Sequence, residues 1–232
     1  MPETAVLVGV GPGFCEAFAH KLCEEGYSIG LFARSEEYLS SFEAELREAG
    51  GEALAVPIDA TDPQQVTEGF ERVRSELGPV AVLAHTASTT TSSEGELDPD
   101  RFEAMWRLYA HAGLLSFREA LDDLRELEGT ALFFGAREDA GDYAFKSGKD
   151  ATRGLARSLA ETYGPEGVHV AHVVIGGILL NPDVRERVDE IDEAEFIDPE
   201  AAAETCYHLV EQDRRCRTFE LDLHAYGRPY SG

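Results

Sequence analysis

Ala5-Val-Leu-Val-Gly-Val-Gly-Pro-Gly13 decides the fold. Ala5 to Val8 is apolar without interruption, the pattern of a strand buried on both faces, and glycines come directly after it. Gly9 permits the tight turn, and Gly11 and Gly13 let the backbone approach a pyrophosphate. A helix beginning near Gly13 then points its free N–H groups and positive dipole end at the anion. The ligand implied is a dinucleotide. Glycines also end strands for purely conformational reasons, so the turn takes its weight from the strands and helices of the remaining chain.

Apolar runs recur at Ser28 to Phe32, Ala53 to Val56, Val80 to Ala84, Thr130 to Phe134, Val168 to Ile175 and Phe219 to Leu223, the first such run extending to Val10. Helical patterns lie between them. Val66, Phe70, Val73 and Leu77 recur at offsets of four, three and four, behind an Asp62 cap and Pro63 at the first helical position. Phe14, Phe18 and Leu22 mark the first helix in the same way. Continuous apolar strands alternating with amphipathic helices predict an α/β fold, a Rossmann-type doubly wound parallel sheet of about seven strands in three α/β/α layers. At 232 residues the chain reads as one dinucleotide-binding domain over 1–232.

The composition excludes several function classes. A net charge of −25 arises from 45 acidic residues against 17 Arg and three Lys, namely Lys21, Lys146 and Lys149. The acids are spread over helix faces, as at Glu36, Glu37, Glu43, Glu45 and Glu48, which fits adaptation to very high salt and argues against nucleic-acid binding. No apolar run reaches about 18 residues and no charged-then-apolar leader is present, so the expectation is a cytoplasmic protein without a membrane span. Cys15, Cys23, Cys206 and Cys216 lack zinc-type spacing and read as packing residues.

Ligands of such a sheet sit at the carboxyl ends of its strands. After the second strand, where an NAD site usually carries a carboxylate for the ribose, stands Arg34-Ser35. A guanidinium and a hydroxyl suit a 2′-phosphate, which favours NADP(H) over NAD(H). Ser35 also fits the N-cap of the next helix, and Arg34 a solvated charge. Asp59, after the third strand, is placed for an adenine edge or for a simple turn.

Nearly the whole chain resembles the short-chain dehydrogenase/reductase family. The resemblance rests on the glycine turn, on Asp59, and on Phe145 to Gly177, where Lys149 precedes an Ala/Leu-rich helix and Gly-Val-His-Val-Ala-His-Val-Val. It implies hydride transfer between a nicotinamide cofactor and a small carbonyl or alcohol. It further implies cofactor contacts from Thr86, from Gly177 in Gly176-Gly177-Ile178, and from Asn181. Lys149 matches the family lysine that holds the nicotinamide ribose and lowers the pKa of a catalytic tyrosine. Pairing through helices at about 99–127 and 145–163 is also implied, hence a homodimer or homotetramer.

The departures are specific. The family tyrosine stands four residues before the lysine, and here that position is Phe145, which transfers no proton. No hydroxyl occurs in Phe133-Phe134-Gly135-Ala136-Arg137, where the family serine belongs. Tyr109 takes the place of the asparagine, Cys15 that of the last motif glycine, and Ala84-His85-Thr86-Ala87-Ser88 that of the usual Asn-Ala-Gly. Substitute hydroxyls are Tyr143, on the same side as Phe145 if the chain is extended there, and Tyr109. Both also fit aromatic packing roles. The histidines do not have the spacing of a metal site, and His111, two residues after Tyr109, is placed to line the pocket or to be satisfied locally. Two readings remain: an atypical NADP(H)-preferring oxidoreductase with Lys149, Tyr143 and Tyr109 in its site, or a noncatalytic dinucleotide-binding protein on the same fold. A nucleotide-sugar or flavin protein is disfavoured by the Lys149 region. The acidic stretch from Leu179 to Phe196 carries no clue to the substrate.

Overall fold

The computed structural model describes residues 3–89, 97–136, 142–180 and 193–227. Its strands are β1 (Thr4–Val8), β2 (Ser28–Ala33), β3 (Glu52–Pro57), β4 (Val80–His85), β5 (Thr130–Ala136), β6 (His169–Ile175), β7 (Ile178–Leu179), β8 (Phe196–Ile197) and β9 (Glu220–Leu223). Seven of them form a parallel main sheet in the order β3-β2-β1-β4-β5-β6-β9, and β7 and β8 make a separate short pair. β1 ends at Val8, short of the expected Val10, because Gly9 turns to φ 93° and both Gly9 and Val10 donate to the Phe32 carbonyl.

Helices cover both faces. α1 (Phe14–Glu24), α2 (Glu36–Glu48) and α7 (Pro199–Val210) pack one core with Phe18, Leu39 and Cys206 against Leu7 and Leu31. On the opposite face lie α3 (Pro63–Glu76), α5 (Ala112–Glu126) and α6 (Tyr143–Tyr163), whose Phe70, Phe117 and Ala156 enclose Val6, Leu83 and Phe133. Asp62 caps α3 as expected, accepting from the amides of Gln64 and Gln65. The acids named on α2 are exposed except Glu43, which is half-buried and pairs with Arg47.

The stretch expected as one long helix from 99 is α4 (Pro99–Trp106), a π-helical turn at Arg107–His111, and α5. The order in which successive strands are added reverses between β1 and β4, which opens a crevice at their carboxyl ends. A Cβ on Gly9 would lie 2.3 Å from the Ala87 Cα across that crevice, so only glycine lets the two loops meet. Among the described residues, no helix is long and apolar enough to cross a membrane.

Candidate active site

A cleft of about 460 Å³ lies over the carboxyl ends of β1 to β4. Gly9, Arg34, Ser35 and Asp59 line it together, joined by Tyr38, Ser88, Met105 and Leu108. Arg34 is exposed and, among the described residues, has no hydrogen bond, ion pair or ring contact. In a chain with 45 carboxylates an arginine without one keeps its whole fork for an outside anion. Ser35 is also the N-cap of α2, its Oγ accepting from the Tyr38 amide at 3.3 Å. Asp59 lines the cleft, and its Oδ1 closes a turn by accepting from the amide and hydroxyl of Thr61.

The glycine turn opens onto the start of α1. A Cβ on Gly11 would meet nothing within 4 Å, so space remains beside this backbone, and Gly13 holds φ 94° at the N-cap. Glu16, three residues on, accepts from the Gly13 amide at 2.9 Å and from the Tyr38 hydroxyl at 2.7 Å. Glu and Tyr at those spacings behind two N-caps were the available signal for this link, which sequence reasoning missed. Thr86 does not line the cleft: its hydroxyl donates to the Val8 carbonyl and accepts from the Cys15 thiol, tying the glycine turn to β4. Gly177 packs beside Ile197 and Ala225, outside the cleft. Asn181 and Arg137 lie outside the described residues.

Lys149 comes from α6 and, like Thr86, is not among the residues that line this cleft. Asp142 caps this helix by accepting from the amides of Ala144 and Phe145, and its ion pair with Arg101 ties the cap to α4. Tyr143 is therefore the first helical residue, not an extended one. At about 100° of helical turn per residue it points away from Phe145. Its hydroxyl exchanges hydrogen bonds with the backbone amide and carbonyl of Asp98 at the start of α4. Tyr109, on the π-turn, is 1% exposed and accepts from the Thr89 amide at 3.3 Å. Its ring fits against Gly148, where a Cβ would lie 2.5 Å from its Cδ2. His111 stacks on Trp106 and does not line the cleft.

Lys149 is 6% exposed and donates to the Phe134 carbonyl at 3.1 Å. Its ammonium stands 4.3 Å from the Tyr109 ring centroid and 5.8 Å from that of Phe145. Beneath it, parallel register sets His85, Phe133 and His172 in one row across β4, β5 and β6. Sequence reading had no access to this row, because register between strands is a tertiary fact. Burial brings the Lys149 pKa down to about 7. Burial, then the Lys149 charge, takes His85 to about 4. The backbone of Leu108 and Tyr109 lies near the His85 ring, yet neither ring nitrogen completes a hydrogen bond. His172 is lowered chiefly by burial, against an opposing bond from Nδ1 to Glu220 at 3.2 Å. Burial raises the Cys15 thiol, so it stays protonated.

A family model described as short chain dehydrogenase matches residues 3–190. The chain belongs to the short-chain dehydrogenase family. Over 202 residues it is 27% identical to the short-chain reductase protein NovJ of Streptomyces niveus, covering 82% of this chain and 74% of that one. It is 26% identical over 211 residues to an uncharacterized oxidoreductase of Staphylococcus aureus, covering 84% and 89%. A crystal structure of a short-chain dehydrogenase from Rhodopseudomonas palustris superposes with TM-score 0.80 at 26% identity, over 98% of this chain and 99% of that one. An L-sorbose reductase from Gluconobacter frateurii, at 21% identity, shares the fold with TM-score 0.86 over 97% and 95%. Short-chain dehydrogenases bind NAD(P)(H), and the residues present here fit such a group: open space at Gly11, an exposed Arg34 without a partner among the described residues, and a buried lysine on α6.

Proposed function

We propose that this short-chain dehydrogenase is an NADP(H)-preferring oxidoreductase acting on a small carbonyl or alcohol. Arg34 carries the reading, as an exposed guanidinium on the wall of the cleft that pairs with no carboxylate among the described residues of a chain with net charge −25. A nicotinamide dinucleotide, when bound, supplies or accepts the hydride. Gly9, Gly11 and Gly13 leave backbone room for its diphosphate, with the start of α1 favouring the anion. Arg34 and Ser35 take the 2′-phosphate, Asp59 faces the adenine, and Lys149 holds the nicotinamide ribose. Thr86 acts from behind, fixing the glycine turn, and Gly177 belongs to the segment flanking the nicotinamide. The Tyr143 hydroxyl is committed to the backbone of Asp98, and the Tyr109 oxygen accepts from the Thr89 amide, which favours structural roles for both.

Exposed Phe102, Trp106 and Leu114 along α4 and α5 support a homo-oligomer, and the acidic surface supports work in a salt-rich cytoplasm. The test is NADPH consumption across a carbonyl panel in molar KCl, with cofactor affinity measured by fluorescence. Arg34→Ala is expected to weaken NADPH binding by about 10- to 100-fold, the value of one charge-assisted bidentate contact, and to leave NADH unchanged. Equal loss for both cofactors would remove the 2′-phosphate assignment. Cofactor binding without turnover on any carbonyl or alcohol would favour a noncatalytic protein.

A further inference from the structure

We propose that Lys149 is itself the proton donor and acceptor of the reaction, its ammonium protonating the nascent alkoxide in reduction and its amine taking the hydroxyl proton in oxidation. The inference rests on the oxidoreductase reading above. It begins with the absence of a competing hydroxyl beside Nζ among the described residues. One helical turn before Lys149 stands the Phe145 ring, and Tyr109 turns the face of its ring, not its oxygen, to the ammonium. The Tyr109 hydroxyl meets Thr89, and that of Tyr143 meets Asp98.

Nζ spends one hydrogen bond on the Phe134 carbonyl, and an ammonium has three to give. Among the described residues, the groups around it are Cys15 from α1, His85 from β4, His172 from β6 and the Tyr109 ring from the π-turn. None is a carboxylate. The thiol is kept protonated by burial, and both histidines are kept neutral by burial and by Lys149 itself. Glu220 lies beyond the far nitrogen of His172. A buried ammonium facing only neutral groups releases its proton easily, and a value near 7 suits transfer in either direction.

The balance is direct. In reduction the carbonyl carbon gains a C–H bond with the two electrons of the hydride from the dihydronicotinamide. The carbonyl π pair becomes an O–H bond as an Nζ–H bond breaks, and the resulting amine recovers its proton from water.

The chain has only three lysines, so the Lys149 signal is assignable in a lysine-labelled NMR titration of the cofactor-free protein by its loss in Lys149→Arg. It is expected to titrate near pH 7. With NADPH held saturating, kcat of Lys149→Arg should fall at least about 100-fold and the break near pH 7 should disappear, because a guanidinium stays charged across that range. Adding Phe145→Tyr to that variant restores a donor one turn away, and should recover at least about tenfold of the lost rate. Titration above pH 9, or a Lys149→Arg protein with unchanged kcat and pH profile, would overturn the proposal alone. A wild-type protein that binds NADPH and turns over no substrate would defeat the oxidoreductase reading first, and this role with it.

Discussion

His85 is one of the fully enclosed titratable side chains around Lys149. It is 2% exposed, both ring nitrogens lack a hydrogen-bond partner among the described residues, and burial with the Lys149 charge holds its pKa near 4 against an ordinary 6.5. Between those values the unfolded chain binds the proton and the folded one does not. Stability from this group is therefore complete above pH 6.5 and is lost as the pH falls toward 4, by about 1.4 kcal/mol per unit and roughly 3 kcal/mol in all. His169 and His172, also lowered by burial, add to the same limb. Lys149 acts in a separate window, its burial penalty fading as the pH rises from about 7 toward 10.5. His85→Asn should flatten the acid limb of a urea-midpoint profile between pH 6.5 and 4.5, and an unchanged slope would refute the burial account. At this scale the sequence was legible where chemistry is local. Arg34, Ser35, Asp59 and Lys149 follow strand ends or a helix pattern, and the glycines follow a turn. The His85–Phe133–His172 row was not legible, since three residues far apart in sequence become neighbours only through strand register.

The elements around the site are held by caps that link one helix to another. Asp142 starts α6 and also pairs with Arg101 of α4, with side chains 15% and 12% exposed. Exposed pairs of this kind contribute little, but a mostly buried guanidinium deprived of its carboxylate costs more than the cap alone. Asp142→Ala should lose about 1 kcal/mol for the cap and roughly 1–2 kcal/mol more for the pair, read as a lower urea midpoint. Asp142→Asn retains the cap and separates the two contributions. A loss below about 0.5 kcal/mol in the alanine variant would mean that the α4–α6 link is carried elsewhere. The same cap explains why Tyr143 was misread. An Asx cap at 142 begins the helix one residue before Tyr143, and period-two reasoning fails at once beyond it. The π-turn at Arg107–His111 was equally invisible. One inserted residue shifts the 3.6-residue register without leaving a compositional mark.

Across the whole molecule, the seven parallel strands of the main sheet and its layers were readable because its central strands are buried on both faces and the helices covering it carry apolar stripes. Those patterns survive any surface composition, and so the surface was free to become strongly acidic. Added salt acts on that surface with two opposing signs. It weakens ion pairs such as Lys21–Glu204 and Arg125–Glu166, each worth at most about 1 kcal/mol where exposed. It also screens repulsion among 45 carboxylates that face only 20 Lys and Arg. Most carboxylates therefore have no cation to lose, whereas all of them repel. Screening shortens from about 10 Å at 0.1 M to about 3 Å at 1 M, below the spacing of most surface charges. Repulsion relief should win, raising the melting temperature between 0.1 M and 3 M KCl by at least about 5 °C, equivalent to roughly 2 kcal/mol for a chain of this size. The same increment should appear in Arg34→Ala, whose substitution touches the cofactor cleft and hardly alters the total charge. A melting temperature that is flat or falls with KCl would show that the ion pairs outweigh the repulsion and that the acidic surface has some origin other than salt.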